Sequence, residues 1–482
     1  MRGSSKRLLL IVIISILIGA SATYGGMHWF AKGTQGDSAQ TEENGGFTAQ
    51  LEKVEMAYDL IESKFYQEVD KQELVEGAVQ GMLETLDDPY SVYMDAKTAS
   101  QFKDTLNSSF EGIGAEVTMM EGKIIIVAPF NDSPAEEAGL KPNDQLIKID
   151  GEVVEGLDLY EATLKIRGEK GTKVNLEIKR EGVSNPIKVS VKRDEIPVET
   201  VIANVKKAGD KNVGYIQITT FSENTAEDFI KEVKNLESKN IEGLVIDVRG
   251  NPGGLLDSVE KILGELVTDD KPVVQIQQRD GEVLTSFSQN QERKPYPITV
   301  LIDEGSASAS EILAGALQEA ERYPLIGTKS FGKGTVQQAV PMGDGSNIKL
   351  TMFKWLTPDG NWIHKKGIKP DIPVQQPSFF YTHPIHVEKP LKIEMNDDQI
   401  KNAQEMLQGL GYKPGRTDGY FSSDTERAVK EFQKDTKLDA TGVINTETAL
   451  KLEDEIRSAI KNESNDKQLQ TALDYLSRLK FD

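Results

Sequence analysis

The residues best placed for chemistry lie in two short runs. Residues 303–311 (DEGSASASE) follow an apolar stretch, Ile298–Ile302, and open a helical one. Small side chains there let a substrate backbone come close, and free N–H groups at a helix start stabilise developing negative charge. A serine in that run needs a base. Only four histidines exist, His28, His364, His383 and His386. None stands beside a nucleophile turn, and no HExxH or clustered His/Asp set supplies metal ligands. Lysine is the alternative base, provided burial draws its pKa down from about 10.4. Lys333, between Gly332 and Gly334, lacks the setting of a solvated helix lysine; Lys329 is a second candidate. The glycines around Lys333 do not make a phosphate loop, because GxxxxGK followed by Ser or Thr is missing. Taken alone, the serine run also fits ordinary helix capping and close packing.

A folded core must position these residues. Strand-like Val213–Ile218, 244–248, Ile298–Ile302 and 348–356 alternate with helical 226–236 and 308–321, a mixed α/β unit spanning about 194–375. Ahead of it, 108–193 carries short β runs at 113–117, 123–127, Gln145–Ile149 and Lys173–Lys179, with helices at 133–138 and 157–166. Residues 47–107 show helical stripes, Leu51, Val54, Leu60 and Ile61, then Leu74, Val75, Ala78 and Val79, interrupted at Asp87, Asp88 and Pro89. A Pro-rich connector, 376–396, leads to three helices of similar length in 397–457. A charged amphipathic helix closes the chain in 458–482, with Leu469, Leu473, Leu476 and Leu479 on one side. The stripes at 54–61 and 469–479 need a partner surface, so a homodimer through both helical ends is expected.

Arg2, Lys6 and Arg7 precede an apolar run in which no Lys, Arg, Asp or Glu occurs before Lys32. That is an export signal occupying 1–31. Ala20, Ser21 and Ala22 would suit cleavage, but the uncharged run also exceeds the roughly 20 residues that span a bilayer. An uncleaved membrane anchor is favoured, followed by a polar linker, 32–46. At about 150 residues per domain, 482 residues make about three folded units with extras. With 56 basic and 77 acidic side chains, the net charge of -21 argues against a broad nucleic-acid surface. The absence of cysteine excludes disulfides, thiolate catalysis and Cys-ligated metals. Neither a cofactor nor a metal is called for.

Four stretches occur in order: 110–116 (FEGIGAE), 247–255 (DVRGNPGGL), 305–311 (GSASASE) and 327–337 (GTKSFGKGTVQ). Over about 54–374 the chain resembles the carboxy-terminal processing peptidases, the tail-specific Ser–Lys proteases of peptidase family S41. The resemblance implies an α+β multidomain fold with a mixed α/β, ClpP/crotonase-like protease core and an inserted PDZ domain at 108–193. It carries the nucleophile onto Ser308, the general base onto Lys333 and a supporting role onto Gln337, leaving Ser306 and Ser310 structural. Ala309 and either Gly253 or Gly254 would offer oxyanion N–H groups, while Asp247 and Arg249 hold the loop. In the PDZ domain, Phe110, Gly112, Ile113, Gly114 and Ala115 match the loop that binds a terminal carboxylate. Arg167 is the candidate contact between PDZ domain and protease. Two roles stay open for that domain, tethering substrates or blocking the site until one arrives.

The pattern 404–412 (QEMLQGLGY), Gly415, Asp418 to Phe421, Phe432, Gln433 and Gly442 resembles a three-helix peptidoglycan-binding domain. Peptidoglycan is therefore a candidate ligand, and the same fold could instead serve assembly. Together these features imply an exported serine endopeptidase outside a bacterial membrane, near the wall. It would recognise C-terminal regions of protein substrates in envelope or regulatory proteolysis, sporulation included. The alternative is a catalytically silent PDZ scaffold anchored at the wall.

Overall fold

The computed structural model describes residues 43–479, apart from 121, 131, 132, 158, 181, 182 and 184. The expected leader, 1–31, lies outside the described residues. Among those described, no helix is long and apolar enough to cross a membrane. The chain divides into two compact units between Asp87 and Asp88. In the first, helix Glu43–Lys64 begins inside the expected linker and is followed by Lys71–Glu84. Asp70 caps the second helix, its carboxylate accepting the N–H groups of Gln72 (2.7 Å) and Glu73 (3.2 Å). Leu51, Val54, Ile61, Leu74, Val75 and Met82 line a groove of about 630 Å³, and Leu51, Val54, Val75 and Met82 remain exposed.

The second unit opens with a departure from the helical expectation for 47–107. Val92–Met94 is a strand, paired antiparallel with Asn347–Leu356. The helical stripes stop before Asp87, and β-prone Val92 and Tyr93 take up the strand edge that residues 347–349 offer. Helix Ala96–Leu106 follows. The chain then enters the β-rich domain along Ser109–Gly112 and leaves it along Asp194–Pro197, and these two strands pair antiparallel. The domain is thus an insertion on a two-stranded stalk. Its strands Ala115–Met120, Lys123–Pro129, Gln145–Ile149, Lys173–Lys179 and Ile187–Lys192 form one sheet in that order. They close on Ile124, Ile126, Leu146, Leu176 and Ile178.

The central sheet runs Val201–Ala208, Lys211–Ile218, Leu244–Asp247, Ile298–Ile302, Leu325–Gly327, Ile372–Pro373, antiparallel in the first pair and parallel thereafter. Alternation along the strands sends Leu244, Ile246, Val300 and Ile302 to one face, beneath helices Thr225–Glu237, Leu256–Leu266 and Ala309–Glu319. Val245, Leu301 and Ile326 go to the other. Leu469, Ala472, Leu473 and Leu476 of helix Lys467–Arg478 cover that second face. The C-terminal stripe expected to seek a second copy is therefore buried by its own chain, because the sheet offers it an apolar face within reach. Nor is 458–482 one helix: Thr446–Lys461 runs into it and a turn at Glu463–Asn465 intervenes.

A second sheet holds Val92–Met94, Asn347–Leu356, Pro272–Gln277 and Val283–Phe287, with Thr335–Pro341 also paired to Asn347–Leu356. Helices Asp398–Gly409, Ser423–Asp435 and Thr446–Lys461 surround Leu407, Phe421, Phe432 and Leu452. Phe379 and Ile385, expected in a connector, belong to this same core.

Candidate active site

The buried strand Ile298–Ile302 ends in a turn drawn tight by Asp303, whose Oδ1 accepts the N–H groups of Gly250 (2.8 Å), Gly305 (3.0 Å) and Ser306 (3.1 Å). Ser306 and Ser310 are buried and spend their hydroxyls on carbonyls, Ser306 on Val248 (2.8 Å) and Ser310 on Asn251 (2.9 Å). Ser308 is the partly exposed member of the three. It sits at the start of helix Ala309–Glu319 with φ 54° and ψ −114°, a backbone conformation costing about 1–3 kcal/mol that persists only when its surroundings enforce it.

Glu311 does the enforcing. Its carboxylate is wholly buried and accepts four hydrogen bonds, from Ser308 N (3.0 Å), Lys333 N (2.8 Å), Gly332 N (2.7 Å) and Ser330 Oγ (2.6 Å). One side chain so pins the turn bearing the lysine to the helix start bearing the serine. The flanking glycines are required there. A Cβ on Gly334 would lie 2.7 Å from His364 N, and one on Gly332, at φ 97°, would lie 2.9 Å from Gly367 N.

Lys333 is half-buried, and among the described residues its Nζ has no hydrogen bond or ion pair. It lies 5.0 Å from the centre of the Tyr90 ring. Burial, helped by the Lys349 charge and opposed by Asp88 and Glu311, lowers its pKa to about 8. Lys329, the other candidate base, is exposed. Gln337 donates from Nε2 to Thr335 Oγ1 (3.1 Å) and Thr351 Oγ1 (2.9 Å) and makes no hydrogen bond to Lys333. His364 stacks on Trp362, with centroids 5.2 Å apart, and its buried Nδ1 has no hydrogen-bond partner among the described residues.

The Ala309 and Gly254 N–H groups have no intramolecular acceptor among the described residues, whereas Gly253 N donates to Asn251 Oδ1 (2.8 Å). A Cβ on Gly253 would stand 2.9 Å from Ser308 Cβ and 3.0 Å from Ala309 N, so that strand of backbone lies directly against the serine. Arg249 holds the same loop from behind, bonded to Asp247 (2.6 Å) and to Asp466 (2.8 Å), the cap of the C-terminal helix. Burial favours a neutral Asp466, but Arg249 outweighs it and holds the carboxyl below the usual range.

In the β-rich domain the loop after Phe110 is fixed by its carbonyls, Ile113 O accepting from Ala135 N (2.8 Å) and Gly114 O from Phe130 N (2.9 Å). The N–H groups of Ile113 and Gly114 have no intramolecular acceptor among the described residues. Gly112 ends the entering strand and Ala115 begins the next. Arg167 lies 4.6 Å over the Phe110 ring and bonds Asp104 at 2.7 Å, away from Lys333 and Gln337 in its hydrogen bonding.

Sequence reasoning missed Glu311, Asn251, Asp88, Tyr90 and Thr351. Glu311 had a local signal, since Ser-x-x-Glu before an apolar run is a capping pattern. The others meet the site only through tertiary contacts.

The peptidase family S41 matches residues 212–374, a PDZ domain 112–191 and a putative peptidoglycan binding domain 396–452. The N-terminal domain of the activating protease CtpB matches 16–98. A core and insertion of this kind make the molecule a multidomain serine-type endopeptidase. It is 54% identical over 473 residues to the carboxy-terminal processing protease CtpB of Bacillus subtilis (strain 168), covering 98% of each chain. Identity to CtpA of the same strain is 41% over 472 residues, again covering 98% of each chain. A probable CtpA-like serine protease of Staphylococcus saprophyticus is 35% identical over 444 residues, 92% of this chain and 87% of the relative. The chain belongs to the carboxy-terminal processing proteases of peptidase family S41, and its PDZ domain recognises C-terminal regions of substrates. The peptidoglycan-binding match agrees with an extracytoplasmic location.

The electrostatics yield one pH prediction. Replacing Lys349 by methionine removes a charge that lowers the Lys333 pKa. With Lys333 as the expected general base, the rising limb of kcat/KM should move to higher pH, and the rate at pH 7 should fall. A pH–rate profile of Lys349→Met checks this; an unmoved limb refutes it.

Proposed function

We propose that Ser308 is the nucleophile and Lys333 its general base. Neutral Lys333 takes the Ser308 proton, Oγ attacks a peptide carbonyl, and an acyl-enzyme forms. Protonated Lys333 then donates to the leaving amine, and water releases the acid. The oxyanion is held by Ala309 and Gly254 N–H, and Gln337 orients the lysine amine. The observation carrying this reading is the Glu311 carboxylate, which binds Ser308 N and Lys333 N together next to an amine whose pKa lies near 8. The parallel strands and nucleophile helix support a ClpP/crotonase-like core.

A substrate's terminal carboxylate docks on the N–H groups of the 110–115 loop, its chain adding beside the PDZ sheet. Arg167 links that loop to the protease through Phe110 and Asp104. The exposed groove of the first unit supports a homodimer formed through the N-terminal helices alone. Peptidoglycan contact by 397–457, membrane attachment through 1–31 and a regulatory setting of the sporulation kind complete the reading.

The test is hydrolysis of an unstructured protein with an apolar C-terminus by the purified chain. Wild type should cut and Ser308→Ala should be silent. Cutting by Ser308→Ala at the wild-type rate refutes the nucleophile.

A further inference from the structure

The loop that bears Gly253 and Gly254 is held by a strap of backbone, residues 219–224. The two meet in a one-residue parallel bridge between Phe221 and Gly254. Gly253 O accepts two hydrogen bonds from the strap, from Phe221 N–H (3.0 Å) and from the Thr220 hydroxyl (3.1 Å). Leu255 N–H donates back to Phe221 O (2.7 Å). Only glycine permits so close an approach, since a Cβ on Gly254 would overlap Phe221 O. The strap is itself fixed. Thr219 N–H donates to Thr200 O (2.9 Å), Ser222 N–H to buried Thr225 Oγ1 (2.9 Å) and Asn224 N–H to buried Ser108 Oγ (2.6 Å).

These bonds decide which N–H group the loop has to offer. A trans peptide is planar, with its C=O and N–H pointing in opposite directions. The Gly253 carbonyl is aimed at the strap, so the N–H of the same peptide, that of Gly254, is aimed away from it. The preceding N–H, of Gly253, is taken by Asn251 Oδ1 (2.8 Å), and buried Asn251 is held in turn through its Nδ2 on Ile218 O (2.8 Å). Gly254 is left as the donor, on backbone that lies against Ser308. Phe221 N–H alone would hold the Gly253 carbonyl at one point and let the peptide plane rock about that bond. The Thr220 hydroxyl supplies a second point and fixes the plane. Hydrogen bonds weaken steeply as their angle closes, so a tilt of this peptide is felt where charge develops in the transition state.

We propose that Thr220 is a positioning residue for the reaction, its hydroxyl fixing the peptide that joins Gly253 to Gly254 so that Gly254 N–H meets the oxyanion. The inference rests on the Ser308 nucleophile and the Ala309 and Gly254 donors proposed above. Removing the hydroxyl leaves Gly253 O its bond to Phe221 N–H, so the loop keeps a partner and the fold is expected to stand.

The experiment uses the full chain and a matched pair of substrates, a peptide ester and its thionoester, in which sulfur replaces the carbonyl oxygen at the reacting carbon. Sulfur is a weak acceptor, so the thionoester draws little on the oxyanion donors, and wild type should favour the oxygen ester at least about 100-fold in kcat/KM. Losing a whole donor costs about 10²–10³-fold, and tilting one costs less. Thr220→Val should lower kcat on the oxygen ester about tenfold, with KM within about twofold. Its rate on the thionoester should stay near wild type, so the preference for oxygen shrinks by the same factor. Thr220→Ser, which keeps the hydroxyl, should restore both. Thermal melts identify folded variants, and if Thr220→Val does not fold, Thr220→Ala against Thr220→Ser carries the test. A wild-type kcat without the hydroxyl overturns the inference alone. So does an equal loss on both esters, the mark of a merely structural role, and so does a Thr220→Ser variant as slow as the one lacking the hydroxyl. A wild type with no preference for the oxygen ester, or Ser308→Ala acting at the wild-type rate, overturns the underlying assignment as well.

Discussion

Lys333→Met should abolish peptide hydrolysis and, at pH 7, make the protein more stable. The first half follows from the proposed role of Lys333 as base, on a turn that Glu311 ties to the helix start bearing Ser308. General bases contribute about 10²–10⁴-fold, and dyads fail as a unit. The second half follows from linkage. In the unfolded chain a lysine titrates near 10.4, while in the fold burial lowers Lys333 to about 8. Protons therefore bind the unfolded chain more tightly, and the cost to the fold is present in full below about pH 8. It fades as the pH rises towards the unfolded value. Allowing for the part of the side chain that water reaches, the cost is about 2 kcal/mol. Methionine fills similar space with no charge to desolvate. Denaturant melts of both proteins at pH 7 and pH 10 check this: the gap should be large at pH 7 and shrink at pH 10. A gap independent of pH removes the burial argument, and retained cutting removes Lys333 as base.

Glu311→Gln should cripple the enzyme without touching the proposed nucleophile, Ser308, or the proposed base, Lys333. The wild-type carboxylate faces four donors, Ser308 N, Gly332 N, Lys333 N and Ser330 Oγ. Glutamine turns one oxygen into an NH₂ that meets two of those donors head-on. Leaving buried N–H groups unpaired costs about 1–3 kcal/mol each at most sites, so a loss of about 3 kcal/mol is expected. The Ser308 backbone at φ 54° would relax, and a displacement on the order of 1 Å suffices for a roughly 100-fold loss of rate. Chemical denaturation together with kcat/KM checks both parts. A Gln variant with wild-type stability and rate would show that the carboxylate is not what holds the two segments together.

Much of the architecture is legible in local sequence pattern. Period-two runs marked the inserted domain's strands at Gln145–Ile149 and Lys173–Lys179, and Ser423–Asp435 read as one of three helices of similar length. Misreadings arose where long-range partners overrule local pattern. Val92–Met94 became a strand because Asn347–Leu356 offered an edge. The Leu469, Leu473 and Leu476 stripe, correctly seen as apolar, found its cover on Val245, Leu301 and Ile326 rather than on a second molecule.

The same division runs through the site. Residue type and spacing alone established a serine run entering a helix, a lysine between glycines and the scarcity of histidine, because these are local properties of the chain. Choosing among Ser306, Ser308 and Ser310 physically required the carbonyls of Val248 and Asn251, which claim two of the hydroxyls. The lowered lysine pKa and the four-fold bonded Glu311 exist only once segments far apart in sequence exclude water from one another. Burial and hydrogen-bond polarity are properties of that packing, and no local stretch of sequence contains them.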